Sequence, residues 1–248
     1  MYKICIAGKN KCSVDILSFV SKKIKKRNLL VLPNKSDKGI DGWQPSLRKY
    51  AKKNKLKIVN LKDIYSLKNL ILISIEFEEI LKVEKFKSKE LFNIHFSLLP
   101  KYRGCHTNYL QIKNGEKKTG VTLHKIDSGI DTGDIIDQLK FKIDLNTNAF
   151  LNYKKLMTYS VKIFKKNFLK VINKKYNTKK QINSKSSYFN RSFVNYNKEK
   201  FFKKKTNSIN FHNKIRALIF PPFQLPVLNK KKIIDSTFFR KKVYIKYL

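Results

Sequence analysis

Short, almost wholly apolar runs separated by helix-like stretches constrain this chain more than any other feature. Lys3–Ala7, Leu29–Leu32, Leu56–Leu61 and Asn69–Ile75 are each only a few residues long. A strand that is apolar at nearly every position is buried on both faces, and such strands belong to parallel sheets covered by helices. The intervening sequence supplies the helices. After a Gly8-Lys9-Asn10 turn, Val14, Ile16, Leu17, Phe19, Val20 and Ile24 fall at helical spacing, and Ser46–Asn54 reads as a short helix. Leu91–Phe96 reads as another strand, followed by a loop through Pro100–Gly104, a helix over Thr107–Lys113 and an Asn114-Gly115 turn. Two more strands, Gly120–Ile126 and Ile135–Ile143, precede a long helix over residues 148–172. The expected fold class is α/β, a doubly wound and mostly parallel sheet flanked by helices.

Beyond that helix the composition shifts. Residues 173–187 are rich in Lys, Asn and Ser and read as a linker. The remaining stretch of about sixty residues holds the Pro-rich run Phe220–Pro226 and two β-like runs, too little to build much core alone. The expected division is residues 1–178 as a catalytic domain and 179–248 as a small β-containing segment that docks on the first domain or dimerises.

Charge excludes less than its size implies. The chain carries 56 Lys and Arg against 17 Asp and Glu, a formal net charge of +39. The lysines run through the whole sequence alongside many Asn and Ile, whereas a nucleic-acid footprint is a patch or stripe. They read as solvated side chains whose field would steer anionic small molecules inward. Cys5, Cys12 and Cys105 form no CxxC pair, so neither a disulfide framework nor a zinc ribbon is expected. No apolar run approaches the roughly 20 residues of a membrane span, and no signal-peptide pattern opens the sequence. A cytoplasmic protein is expected.

Two stretches carry candidate chemistry. In Asn93-Ile94-His95-Phe96-Ser97-Leu98-Leu99-Pro100-Lys101-Tyr102-Arg103-Gly104, strand periodicity puts Asn93 and His95 on one face. Open α/β sheets place ligands at the carboxyl ends of such strands. Alone, Asn-x-His also fits a polar strand edge. Asp127-Ser128-Gly129-Ile130-Asp131-Thr132-Gly133-Asp134 joins two strands with glycines that permit close approach to a ligand. It lacks the alternating oxygen ligands of an EF-hand, so calcium is not expected. Gly8-Lys9-Asn10 fits neither a Walker A loop nor GxGxxG, so neither ATP nor NAD is implied. No histidine pair has metal-ligand helical spacing, and no metal is expected.

Taken together, Asn93-x-His95, Ser97-Leu98-Leu99-Pro100-x-x-Arg103-Gly104 and Gly129-Ile130-Asp131-Thr132-Gly133 resemble the folate-dependent formyltransferases, among them methionyl-tRNA formyltransferase and glycinamide ribonucleotide transformylase. The resemblance implies a Rossmann-like sheet, 10-formyltetrahydrofolate as co-substrate and a catalytic trio of Asn93, His95 and Asp131. The residue types agree with that chemistry. An amide such as Asn93 stabilises the oxyanion formed when an amine attacks a formyl carbon, and an imidazole near pKa about 6.5 transfers protons at neutral pH. Asp131 either orients His95 and favours its protonated form or receives the proton through water.

Looser similarity extends over nearly the whole chain. Gly8-Lys9-Asn10, Trp43-Gln44-Pro45-Ser46-Leu47, Ser74-Ile75-Glu76-Phe77 and Ile215–Pro226 resemble bacterial sugar N-formyltransferases, which act on dTDP- or GDP-linked amino sugars for O-antigen and related glycans. That likeness implies folate contacts at Ser74, Ile75, Glu76, Phe77, Asp127, Gly129 and Ile130. It implies nucleotide-sugar contacts at Gly8, Lys9, Asn10, Trp43, Gln44, Tyr102, Arg103 and Gly104, and a homodimer. The favoured substrate is dTDP-4-amino-4,6-dideoxyglucose, with GDP and an amine at the 3-position as alternatives. Of the other histidines, His124 is expected to be structural although its strand runs toward Asp131, His106 to sit at a site rim, and His212 to have no evident role. Two rivals stand beside this reading: a methionyl-tRNA formyltransferase, which would carry a larger C-terminal domain, and a basic nucleic-acid-binding protein on an inactive transferase core.

Overall fold

The computed structural model describes residues 2–248. They divide into two compact units: the described residues to His95 with Val121–Leu139 and Met157–Ser184, and Phe96–Gly120 with Lys140–Leu156 and Lys185–Leu248. In chain order the elements are β1 (Lys3–Gly8), α1 (Asn10–Ser21), β2 (Leu29–Pro33), α2 (Leu47–Lys53), β3 (Lys57–Ile58), α3 (Leu61–Tyr65), β4 (Leu70–Ile75), β5 (Glu90–His95), β6 (Arg103–Gly104), α4 (Thr107–Lys113), β7 (Lys118–Lys125), β8 (Ile135–Lys142) and α5 (Ala149–Ile172). There follow β9 (Tyr188–Phe189), α6 (Tyr196–Glu199), β10 (Phe201–Phe202), α7 (Ile209–Leu218), β11 (Val227–Leu228), β12 (Lys231–Phe239) and β13 (Lys242–Tyr247).

Seven strands form the main sheet in the order β3-β2-β1-β4-β5-β7-β8. From β3 to β5 every pairing is parallel, and β5 meets β7 antiparallel. The apolar strands β1, β2 and β4 are buried along almost their whole length, as strands covered on both faces must be. The strand order reverses between β1 and β4, and a crevice outside the carboxyl ends at such a point is where open α/β sheets bind ligands. Ser46 caps α2 by accepting from the Lys49 N–H. Phe19 of α1 packs edge-on against Phe164 and Phe168 of α5.

Three expectations are corrected. The strand expected over Leu56–Leu61 shrinks to β3, because Asn60 and Asp63 form a capping box that turns the chain into α3 at Leu61. The polar stretch 173–187 is not a free linker: Lys179 and Ile135 exchange both backbone hydrogen bonds, and Tyr176 donates to Glu90 at 2.6 Å. The C-terminal segment, expected to hold little core, builds a four-stranded sheet, β10-β11-β12-β13. Phe211, Ile215, Ile219, Leu228, Ile233 and Val243 form a buried cluster beneath it. His212, which had no evident role, is wholly buried in that unit, bridging Ser236 Oγ at 2.8 Å and the Leu145 carbonyl at 3.0 Å. Among the described residues no helix is long and apolar enough to cross a membrane.

Candidate active site

β5 carries Asn93 and His95 to its carboxyl end, where alternation directs both to one face. Antiparallel β7 sets His124 directly opposite Asn93 and Thr122 opposite His95. The loop from β7 to β8 then brings Asp131 over the same spot. Its Oδ2 lies 3.3 Å from His95 Nδ1, and its Oδ1 lies 3.2 Å from Asn93 Nδ2 and 3.5 Å from His124 Nε2. Side-chain exposures of 8 % for His95, 12 % for Asp131 and 2 % for His124 leave the cluster poorly solvated, which strengthens its electrostatics.

His124 is a fourth member that sequence reasoning took for structural. Its Nδ1 lies 2.7 Å from the Lys125 carbonyl, which only accepts, so Nδ1 carries the proton of the neutral ring and Nε2 presents a lone pair. Asn93 Nδ2 stands 3.2 Å from that lone pair, which fixes which end of the amide faces the ring. The Asn93 NH2 group is therefore shared between His124 and Asp131. The signal for His124 was present in the alternation of Gly120–Ile126. What it lacked was the pairing of that strand with β5.

Several interactions shape the loop. Asp127 accepts from the Gly129 N–H at 3.2 Å and from Thr132 Oγ1 at 2.6 Å, forming a tight turn. A Cβ on Gly133 would stand 2.0 Å from the Lys125 carbonyl oxygen, so only glycine permits that approach. Ile130 is exposed at the loop tip. Gln181, from the stretch read as a linker, donates to the carbonyls of both Asp131 and Gly133 at 2.8 Å.

The residues expected at Gly8-Lys9-Asn10 and Ser74–Phe77 meet where the sheet order reverses. Gly8 is so close to β4 that a Cβ would fall 1.9 Å from the Ile75 carbonyl oxygen. Asn10 and Glu76, both left-handed, join through a 3.0 Å hydrogen bond from Asn10 Nδ2. Lys9 precedes α1 in extended conformation. Ser74 and Ile75 are buried in β4, and Phe77 packs against the core. Gln44 accepts from the Lys11 N–H at 3.0 Å, tying its loop to the start of α1, while neighbouring Trp43 is exposed. Cys12 is wholly buried, and burial, then the Glu76 charge, push its thiol well above its usual range.

Tyr102, Arg103 and Gly104 fall in the second unit, where each has structural work. β6 pairs with β9, and a Cβ on Gly104 would stand 2.3 Å from the Phe189 carbonyl oxygen. Tyr102 donates to Glu116 at 2.9 Å and stacks on Phe189, and its hydroxyl is pushed up to about 12 by burial and then by the Glu116 contacts. In the same unit His106 makes hydrogen bonds to Tyr196 Oη at 3.0 Å and the Arg191 carbonyl at 2.8 Å. Among the described residues no group of His, Cys, Asp and Glu side chains is disposed to hold a metal ion.

An amide, two imidazoles and a carboxylate around one poorly solvated point, at the carboxyl end of a parallel sheet, suit acyl transfer to an amine. A family model described as formyl transferase matches residues 4–166, spanning the whole cluster. The chain belongs to the formyl transferase family. Its doubly wound sheet, expected from the apolar runs, is the fold shared with solved members. It is 44 % identical to the sugar 3N-formyl transferase WlaRD, solved in the presence of dTDP and 5-N-formyl-THF, with TM-score 0.95 over 100 % of this chain and 98 % of that one. An N-formyltransferase from Helicobacter canadensis, in complex with folinic acid and dTDP-3-aminofucose, is 50 % identical with TM-score 0.91 over 96 % of this chain and 88 % of that one. The bifunctional polymyxin resistance protein ArnA of Wigglesworthia glossinidia brevipalpis is 36 % identical over 204 residues, 76 % of this chain and 30 % of ArnA. The chain thus spans about a third of the length of that curated relative.

Proposed function

We propose that this chain transfers the formyl group of 10-formyltetrahydrofolate to the amino group of a dTDP-linked amino sugar. The observation that carries the reading is the single cluster of Asn93, His95 and Asp131, with Asp131 Oδ2 held 3.3 Å from His95 Nδ1, inside a family member similar along its length to two sugar formyltransferases. The sugar amine attacks the formyl carbon and a C–N bond forms. The C–N10 bond of the folate then breaks, one proton leaves the amine and one is delivered to N10. Asn93 donates to the oxyanion between these events, giving up its contact with Asp131 to do so; one such donor is worth about 3 kcal/mol. With Nδ1 turned to Asp131, His95 exchanges protons with substrate through Nε2, and the carboxylate stabilises the imidazolium.

Sequence likeness favoured an amine at the 4-position. The relatives at 44 % and 50 % identity are described with 3N chemistry and dTDP-3-aminofucose, and on that support we place the amine at the 3-position of a dTDP-linked deoxy sugar. The folate would lie against Ser74–Phe77 and the Asp127–Ile130 turn, and the nucleotide sugar against Gly8–Asn10, Trp43 and Gln44. A cytoplasmic homodimer joined through residues 179–248 completes the reading, and sedimentation would show it as twice 29.3 kDa. The test is incubation with 10-formyltetrahydrofolate and dTDP-linked 3-amino, dTDP-linked 4-amino and GDP-linked amino sugars, beside methionyl-tRNA, followed by product mass. Formylation of a 3-amino sugar, lost in His95→Ala and Asp131→Ala, supports the proposal. Formylation of the tRNA alone overturns it.

A further inference from the structure

We infer that Gln181 is a positioning residue of the transfer reaction, holding Asp131 in the backbone conformation that turns its carboxylate to His95. The inference rests on the function proposed above. Asp131 has φ +55°, a left-handed conformation that costs most residues with a Cβ and that Asp adopts more readily, so the contacts of the loop decide whether it is held there. The surroundings act on the loop from two sides. On one side the Lys125 N–H donates to the Asp134 carbonyl at 2.9 Å, and Gly133 rests against the Lys125 carbonyl. On the other side the chain returning from α5 runs along the loop. Lys179 and Ile135 exchange backbone hydrogen bonds at 2.8 Å, and Thr178 Oγ1 reaches Asp134 Oδ2 at 3.4 Å.

Of these contacts, the Gln181 pair touches Asp131 itself. Its Nε2 donates to the carbonyls of Asp131 and Gly133 at 2.8 Å each, so a single NH2 group bridges two acceptors across one residue. A primary amide brings two N–H groups on one atom, whereas an ionised carboxylate of the same shape brings none and would repel both carbonyls. The anchor of Gln181 is independent of the trio. The Lys179–Ile135 exchange sets its register, and Tyr176 donates to Glu90 and accepts from Lys125 Nζ at 3.0 Å. Release of the two carbonyls frees Asp131 to relax from its left-handed conformation and draws the carboxylate from the imidazole. A misplacement near 1 Å at a reacting group costs about 10²-fold in rate.

The experiment compares Gln181→Met, which keeps the shape without donors, and Gln181→Glu, in both the wild-type and Asp131→Asn backgrounds, by single-turnover formyl transfer to the dTDP-linked amino sugar. Each change is expected to slow transfer by about 10- to 100-fold in the wild-type background and to cost nothing further in the Asp131→Asn background, because the loss acts through the carboxylate. An equal loss in both backgrounds marks a merely structural role and overturns the inference. A second readout needs no substrate. Crystal structures of the variants should show the 3.3 Å gap between Asp131 Oδ2 and His95 Nδ1 lengthened beyond hydrogen-bond reach, with faster hydrogen exchange over residues 127–134. An unchanged gap and unchanged exchange overturn it also. If the wild-type protein formylates no sugar, the functional reading fails, while the structural readout still decides whether Gln181 sets Asp131.

Discussion

Replacing His124 by Leu removes two hydrogen bonds at once, Nδ1–H to the Lys125 carbonyl at 2.7 Å and the Nε2 lone pair facing Asn93 at 3.2 Å. For stability the losses are about 1 kcal/mol per hydrogen bond plus about 1–3 kcal/mol for a polar group left unmatched, offset by about 1–2 kcal/mol from burying leucine. The net cost of about 1–4 kcal/mol leaves a folded protein if its stability is ordinary. For catalysis the consequence runs through Asn93. Asp131 still accepts from the resting amide at 3.2 Å, but once Asn93 gives up that contact to serve the oxyanion only His124 is left to orient it, so up to the full contribution of an oxyanion donor is at stake. That donor is worth about 3 kcal/mol, so kcat should fall about 10- to 100-fold with KM for the folate little changed. His124→Gln, which restores an acceptor oxygen, should recover most of the rate. The assay is kcat and KM from folate release and product mass, with melting curves alongside. The reasoning is refuted if His124→Leu lowers the melting temperature but keeps kcat within about twofold, while Asn93→Ala loses about 10²-fold.

Other expected outcomes are simpler. Asp131→Asn keeps the left-handed turn, since Asn tolerates it, but removes the charge facing His95; transfer should slow about 10²- to 10⁴-fold with an unchanged melting curve. Burial holds the His212 imidazole below its ordinary pKa of 6.5, so the fold favours the neutral ring. The stability it contributes is present above pH 6.5 and lost as pH falls below it toward the folded-state value, so urea midpoints should drop between about pH 7.5 and 5 more in the wild type than in His212→Asn. Gly8→Ala would drive a Cβ to 1.9 Å from the Ile75 oxygen, and circular dichroism should show a loss of about 3–5 kcal/mol or a chain that does not fold. Tyr102→Phe gives up hydrogen bonds with Glu116 and Asn114 and should cost about 1–2 kcal/mol in denaturant titration.

Most of the main sheet was legible because β1, β2 and β4 announce themselves by unbroken apolar sequence, a property of single segments. β3 was misread for the complementary reason. Its apolar residues continue into Leu61, and only the Asn60–Asp63 capping box, a local polar signal, separates strand from helix. At the candidate site, Asn93, His95 and Asp131 were singled out through motif resemblance. The placement of His124 against Asn93 depends on the register of two strands some thirty residues apart, which no single segment encodes. Gln181 lay in Lys- and Asn-rich sequence with no periodicity, and it meets the loop through hydrogen bonds to backbone, which leave almost no mark on side-chain pattern. The C-terminal core was hidden for a related reason: β10 and β11 are two residues each and gain their strand character only from their neighbours.

The interleaving of the first unit fixes the order in which its parts become available during synthesis. Asn93 and His95 emerge early, yet the unit draws on two later stretches, the last ending at Ser184. A nascent chain that has just released the Asp127–Asp134 loop holds every member of the trio but not the strap of residues 176–181 that runs along it. The strap is thus made only some fifty residues after Asp131, and a half-made chain carries the loop without the contacts that brace it.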